Sequence, residues 1–311
     1  MSEAADKIVA GVLAAERIVA GLVENGRIEG GVQHFPPPED SDAALTSMPA
    51  DAVVAVICDQ IRTRCHERGI EVADLAGIGV GCPGIIREGV VEESPNLPQL
   101  KGCRLSDSIR GNLDVGSIPV TISNDADALA AGIASRHGYL DKLVRVWTLG
   151  RGIGYGTYPP LPGVWEGGHM VVSMDPKEHF CGCGGVGHLE GIMGTRAMRK
   201  RFLDMEPDEI FTNAKAGDER CAKFARLWHR ALAAGTATSV HISGPGRFFI
   251  SGPNSRHVNV ELLSRYVYEM VKMSPLQGSV FEVTPVDDQI AVVGAAVNAL
   301  GINDGRAGSS S

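Results

Sequence analysis

Apolar residues come first in short blocks. Residues 8–13 and 17–23 form two hydrophobic runs separated by a tight turn, which predicts two strands. Asn25-Gly26 is a hairpin signal, so 27–33 is a predicted third strand. The stretch from His34 to Asp40, with Pro36-Pro37-Pro38, reads as a loop. From Ala50 to Arg68 the spacing changes: Val53, Val56, Ile57 and Ile61 recur at helical intervals, and Gly69 stops the helix. Residues 75–82 are a buried strand that Pro83-Gly84 breaks, and 120–123 is another, followed by a helix from Ala126 to about His137.

The second half begins again with strands, at 143–149 and 153–158, around a glycine-rich turn. Helices fill 190 to about 234, 258–271 and 290–300, with short strands at 248–250 and 280–283. A three-strand meander followed by alternating helix and strand, done twice, implies an α/β fold of two lobes with a mixed sheet in each. The first lobe is expected over 1–124, completed by a helix at about 290–302. The second is expected over 125–289, with 303–311 a flexible tail.

Composition narrows the function. The 311 residues carry a net charge of −8, which argues against nucleic acid or an anionic membrane as partner. No apolar stretch reaches the roughly 18–20 residues a membrane span needs, and the polar, acidic start is not a secretion signal. Seven cysteines, two of them close together and five scattered, read as a reducing, cytoplasmic compartment with one local metal site.

That site is His169, Cys181, Cys183 and His188. Thiolate and imidazole are the donors zinc prefers, and four of them complete a tetrahedral structural site. Gly182, Gly184, Gly185 and Gly187 let the backbone turn tightly among them. The alternative is two buried cysteines and two surface histidines in a flexible loop. Glu166 and Glu190 flank the cluster and suit hydrogen bonding to vicinal hydroxyls, although solvated surface acids would look the same. A metal-bound His169 can present its second ring nitrogen to a ligand. Asn124-Asp125, between a strand and a helix, reads either as a helix cap or as a catalytic pair.

Taken in order, these segments resemble one family. They are Ile78-Gly79-Val80-Gly81 into Cys82-Pro83-Gly84, Ser94-Pro95-Asn96-Leu97, Asn124-Asp125-Ala126-Asp127-Ala128, Gly150-Arg151-Gly152-Ile153-Gly154, Glu166-Gly167-Gly168-His169 and Cys181-Gly182-Cys183 through His188-Leu189-Glu190. The chain is similar, over about 8–300, to the ROK family (repressors, open reading frames and kinases). The resemblance implies an actin-like ATPase fold, related to ribonuclease H, with two lobes and a cleft between them. It implies phosphorylation of a hexose or N-acetylhexosamine. Asp125 would be the general base, and Asn96, Asn124, Glu166, His169 and Glu190 would hold the sugar. It further implies Mg²⁺ and ATP, a structural Zn²⁺ and a homodimer or homotetramer. The family's third metal-loop cysteine is here His188, a competent zinc ligand.

The nucleotide side departs from that pattern. The D-x-G-G-T turn is Val12-Leu13-Ala14-Ala15-Glu16, G-T-G is Gly150-Arg151-Gly152, and the Gly-Gly-Gly turn is Ser251-Gly252-Pro253-Asn254. A carboxylate is lost, and Glu16 adds negative charge where phosphates would lie. Arg151 and Gly152 could hold a phosphate carried by the ligand, or Arg151 could be a surface residue paired with an acid. With the sugar side unbroken, the expected ligand is a sugar or sugar phosphate, with ATP use weakened or lost. The competing readings are a non-ATP isomerase, epimerase or hydrolase and a silent sugar-binding protein. The family's repressors carry an extra DNA-binding domain for which this chain, starting its first strand near Ile8, has no room.

Overall fold

A computed structural model describes residues 7–37, 39, 44–161, 163 and 166–303. The chain runs β1 (Ile8–Ala14), β2 (Ile18–Glu24), β3 (Arg27–Phe35), α1 (Ala44–Ser47), α2 (Ala50–Arg68), β4 (Gly77–Cys82), β5 (Ile85–Arg87), β6 (Val90–Glu93), α3 (Leu105–Leu113), β7 (Val120–Asn124) and α4 (Asp125–Arg136). It continues through β8 (Val144–Leu149), β9 (Ile153–Tyr158), α5 (Leu189–Met193), α6 (Thr195–Arg201), α7 (Pro207–Ala216), α8 (Glu219–Ser243), β10 (Arg247–Ser251), α9 (Val260–Met270), β11 (Val280–Val283) and α10 (Asp288–Asn303). Two units form: Met1–Lys142 with Gly156–Pro162 and Asp287–Ser311, and Leu143–Tyr155 with Gly163–Val286.

The first unit is a mixed sheet in the order β3-β2-β1-β4-β7. The antiparallel meander comes first because Asn25 (φ 52°) and Gly26 (φ 73°) both take left-handed geometry, as a tight hairpin requires. Alternation along β1 divides its side chains. Ala10, Val12 and Ala14 join the core with Val53, Ile57 and Ile61 of α2, whereas Val9 and Leu13 pack with Val292, Ala296 and Ala299 of α10. Gly69 (φ 73°) ends α2 where the sequence places its stop. The β5–β6 hairpin and α3 are additions to the sequence reading. They are too short, and too mixed in polarity, to show a period of their own.

The first unit extends past the expected boundary at 124 and takes in α4. The reason is backbone packing between α4 and α10. A Cβ on Gly132 would lie 1.8 Å from Ile290 O, and one on Gly294 would lie 1.7 Å from Ala128 O. Neither helix can leave the other without exposing this seam. Gly132→Ala is therefore expected to lower the unfolding free energy by about 3 kcal/mol or more. A urea midpoint equal to the wild type's would refute the close approach.

The second unit has the sheet order β11-β10-β8-β9, with β8, β10 and β11 mutually parallel. Helix α8 shares its core: Trp228 and Leu232 of α8 are buried in one cluster with Trp147 and Phe248. Polar atoms inside this core find partners: Trp147 Nε1 donates to Thr236 Oγ1 at 3.1 Å, and the Tyr155 and Ser239 hydroxyls lie 2.6 Å apart. Among the described residues no helix is long and apolar enough to cross a membrane. The expected tail lies outside the described residues apart from Asn303, as do parts of the proline loop.

Candidate functional site

The candidate residues fall into two sets, one in each unit. Asn96, Asn124 and Asp125 belong to the first. Arg151, Gly152, Glu166, His169, Cys181, Cys183, His188 and Glu190 belong to the second.

In the second unit, backbone pairing brings the two histidines together. Val172 N and Ser173 N donate to Gly187 O, Leu189 N donates to Met170 O, and Val171 bridges to His188. Between these strands the Cys181–Gly187 stretch folds back on itself. Gly185 must lack a side chain, because a Cβ there would stand 2.1 Å from His188 Cε1. The result is four donor atoms within 4.8 Å of one another. His169 Nδ1 lies 3.2 Å from His188 Nδ1, and Cys181 Sγ lies 3.4 Å from Cys183 Sγ. Cys183 Sγ is 3.4 Å from His169 Nδ1 and 3.3 Å from His188 Nδ1, and Cys181 Sγ is 3.6 Å from His169 Nδ1. A tetrahedral zinc with bonds of about 2.0–2.3 Å would set edges of about 3.3–3.8 Å, so the donor set fits that ion. Without a cation, burial above all pushes the Cys181 thiol up to about 12. Burial, then His169, lowers His188. A dication reverses the thiol's preference, because its charge favours thiolate.

The acids around the cluster are placed by it. His169 turns its other nitrogen, Nε2, toward Glu166, whose Oε2 lies 3.9 Å away. Glu190 sits in the first turn of α5, just after His188. Its Oε2 accepts the Ile153 N–H at 3.1 Å and its Oε1 faces Cys181 Sγ at 3.7 Å. Gly152 makes room for it, since a Cβ there would be 2.4 Å from Glu190 Oε2. One carboxylate thus ties the metal loop to the Gly150–Gly152 turn, a link that spacing alone does not reveal.

That turn is closed on itself. Gly150 N donates to Gly152 O, and Gly150 O accepts from Thr195 N and from Asn254 Nδ2 at 3.2 Å. Asn254, 3% exposed, also donates to Thr195 Oγ1. Pro253 opens a short 3₁₀ turn after Gly252. The Arg151 side chain is exposed. In the first unit the β1–β2 turn is closed too. Val12 and Ala14 are 0% exposed, Ala14 pairs with Ile18, and Ala15 N donates to Arg17 O at 3.0 Å.

Of the two alternatives left open by the sequence, the structure shows the helix cap. Asn124 is the N-cap of α4, its Oδ1 accepting from Ala126 N at 2.8 Å, and its Nδ2 donates to Gly84 O at 2.9 Å. Asp125 follows as the first helical residue, where the positive end of the helix favours an anion. Its Oδ1 also accepts from Ala126 N at 3.0 Å. Burial, and then the Asp125 charge, push the Cys82 thiol far up, so it stays neutral. Asn96 is exposed on a loop that Ser94 fastens, with Ser94 Oγ donating to Pro83 O at 2.6 Å.

The comparisons with known proteins bear on family and fold. The ROK family profile matches residues 40–301. A glucokinase of Pyrobaculum calidifontis is 28% identical over 243 residues, 72% of this chain and 78% of its own. The crystal structure of a ROK hexokinase from Thermus thermophilus superposes with a TM-score of 0.77 at 22% identity, covering 96% of this chain and 100% of that one. A ROK family glucokinase from Streptomyces griseus, in complex with glucose and AMPPNP, gives 0.66 at 23% identity, covering 94% and 99%. The α/β fold with mixed sheets is that of the actin-like ATPases. With most of its length inside the family profile, and with the metal-loop motif folded around four converging ligands, the chain belongs to the ROK family and is sugar-kinase-like.

Proposed function

We propose that the chain binds a hexose, an N-acetylhexosamine or a related sugar phosphate through Asn96, Asn124, Glu166, His169 and Glu190. Asp125 acts as the general base on the sugar hydroxyl. The observation that carries the reading is the metal loop. Its donors converge, and the same loop holds His169 against Glu166 and Glu190 against Ile153. A zinc ion held by His169, Cys181, Cys183 and His188 would order this loop and supply no chemistry, since four protein ligands leave no open position. A sugar hydroxyl is a weak nucleophile until a positioned base takes its proton, and a carboxylate at a helix start is suited to that role. Relatives named glucokinase and hexokinase, one of them bound to glucose, support the sugar class.

Transfer from ATP is the weak point of the kinase assignment. The β1–β2 turn buries Val12 and Ala14 in the core and uses the Ala15 amide internally. Valine stands at position 12 where the family's pattern has the Mg²⁺-positioning aspartate, Glu16 places its charge on the phosphate side of the turn, and the Ala15 amide is already bonded within it. This favours a second reading, in which the sugar pocket is retained and serves a reaction without ATP, or sensing. Calorimetry separates the two. The kinase reading expects heat from both a hexose and Mg-ATP, whereas clear heat from a hexose or hexose phosphate with none from Mg-ATP supports the second reading. Absence of heat from every sugar in a broad panel would end both readings.

A further inference from the structure

The first turn of α4 carries a second carboxylate. Asp127 Oδ1 accepts the backbone N–H of Thr157 at 2.8 Å. Thr157 is 1% exposed and belongs to the short segment Gly156–Pro162, which is part of the first unit. This segment lies directly on the helix turn: a Cβ on Gly156 would stand 2.0 Å from Ala126 O and 2.7 Å from Asp127 N. A second tether runs from Asn124 to Gly84 O. Asp125 therefore sits on a turn fastened twice, to the Gly84 loop through Asn124 and to the end of β9 through Asp127.

A neutral amide at 127 could accept the same bond, so the carboxylate's charge needs its own explanation. Burial first, and the Asp125 charge in addition, push the Asp127 carboxyl up to about 6, against the Thr157 bond that pulls it down. The folded chain then holds more protons than the unfolded one between about 4 and about 6, so stability falls as pH rises through that window. Above it the ionised Asp127 is unfavourable for folding. Groups placed against stability in this way are concentrated at functional sites. Among the described residues, Asp125 is the charge that bears on Asp127, and Asp125 in turn bears on the neutral Cys82 thiol at the end of β4.

We propose that Asp127 is a positioning residue for Asp125: by fastening the first turn of α4 to Thr157 it holds the carboxylate of its neighbour in place. The inference rests on the reading of Asp125 as general base.

Two variants separate the parts. Asp127→Asn keeps an acceptor for Thr157 and removes the charge, whereas Asp127→Ala removes both. By hydrogen exchange, the Thr157 amide is expected to stay protected in the asparagine variant and to exchange at least about tenfold faster in the alanine variant. With Mg-ATP and D-glucose, Asp127→Ala is expected to lower kcat on the order of 10- to 100-fold with little change in KM. Asp127→Asn, which keeps the acceptor for Thr157, is expected to retain most of the wild-type kcat. Asp127→Asn should also melt higher than wild type at pH 8, with the difference shrinking as pH falls below about 6. An alanine variant with wild-type kcat and wild-type protection at Thr157 overturns the fastening. An asparagine variant that keeps the Thr157 amide protected yet is as slow as alanine overturns the fastening as the cause of the loss. A wild-type chain without hexose-dependent turnover removes the base reading, and with it the role of Asp127 toward Asp125. Exchange at Thr157 still decides the tether independently.

Discussion

Replacing Asp125 by Asn is expected to slow sugar-dependent turnover by about 10²- to 10⁴-fold while leaving hexose affinity nearly unchanged. The proposed role requires the loss to fall on kcat, because a general base acts only as the proton moves. The substitution is conservative for the fold. Asn124, not Asp125, supplies the helix cap and the tether to Gly84. An amide at 125 can still accept the Ala126 N–H through its oxygen. Melting temperature and hexose heat should therefore match the wild type. Full turnover in Asp125→Asn would remove this residue from the mechanism and leave the chain as a binder or as an enzyme with another base.

Removing the metal is the second large effect. A strong chelator, or Cys181→Ser, is expected to release about one zinc per chain and to reduce hexose affinity by about 100-fold. The estimate follows from the hydrogen bonds at stake. Glu166, His169 and Glu190 take their positions from the loop, and three bonds of about 1 kcal/mol each amount to about two orders of magnitude. Four donors so near one another repel or compete once the cation is gone, so the loop between residues 169 and 190 should lose protection in hydrogen exchange. The core around Trp147 and Trp228 should not, because its burial does not depend on the cluster. Protein that holds no metal after purification and still binds hexose with undiminished affinity would show that the four side chains serve another end.

The two tests address different units. Asp125 and its tethers belong to the first, and the metal loop belongs to the second. A chain that loses hexose heat on chelation but not in Asp125→Asn would fit the proposed division of labour.

Much of this was legible in the residues, for reasons that are local. Strand alternation, the Asn25-Gly26 hairpin and the Gly69 stop depend on a few neighbouring dihedrals, so pattern alone located β1, β2, β3 and α2. The metal set was legible because His169, Cys181, Cys183 and His188 lie within a short stretch, and glycines mark where the chain must turn. The motif order carried the family, and the Val12-Leu13-Ala14-Ala15-Glu16 turn stood out against it.

What escaped was set by approach between distant segments. The place of α4 in the first unit depends on Gly132 meeting Ile290 O, far along the chain. Glu190 was expected to hold a sugar or to be a solvated acid, and the fold sets it against Gly152 and the Ile153 amide. Asp127 stood in the quoted motif without a role, and only the return of β9 placed the Thr157 amide on its carboxylate. Sequence by itself determined the elements, the family and the ligand types, because those follow from short-range periodicity and from the chemistry of each side chain. Tertiary structure alone decided which buried acid meets which backbone amide, because hydrogen bonds and glycine contacts across long sequence separations exist only once the sheets and helices have packed.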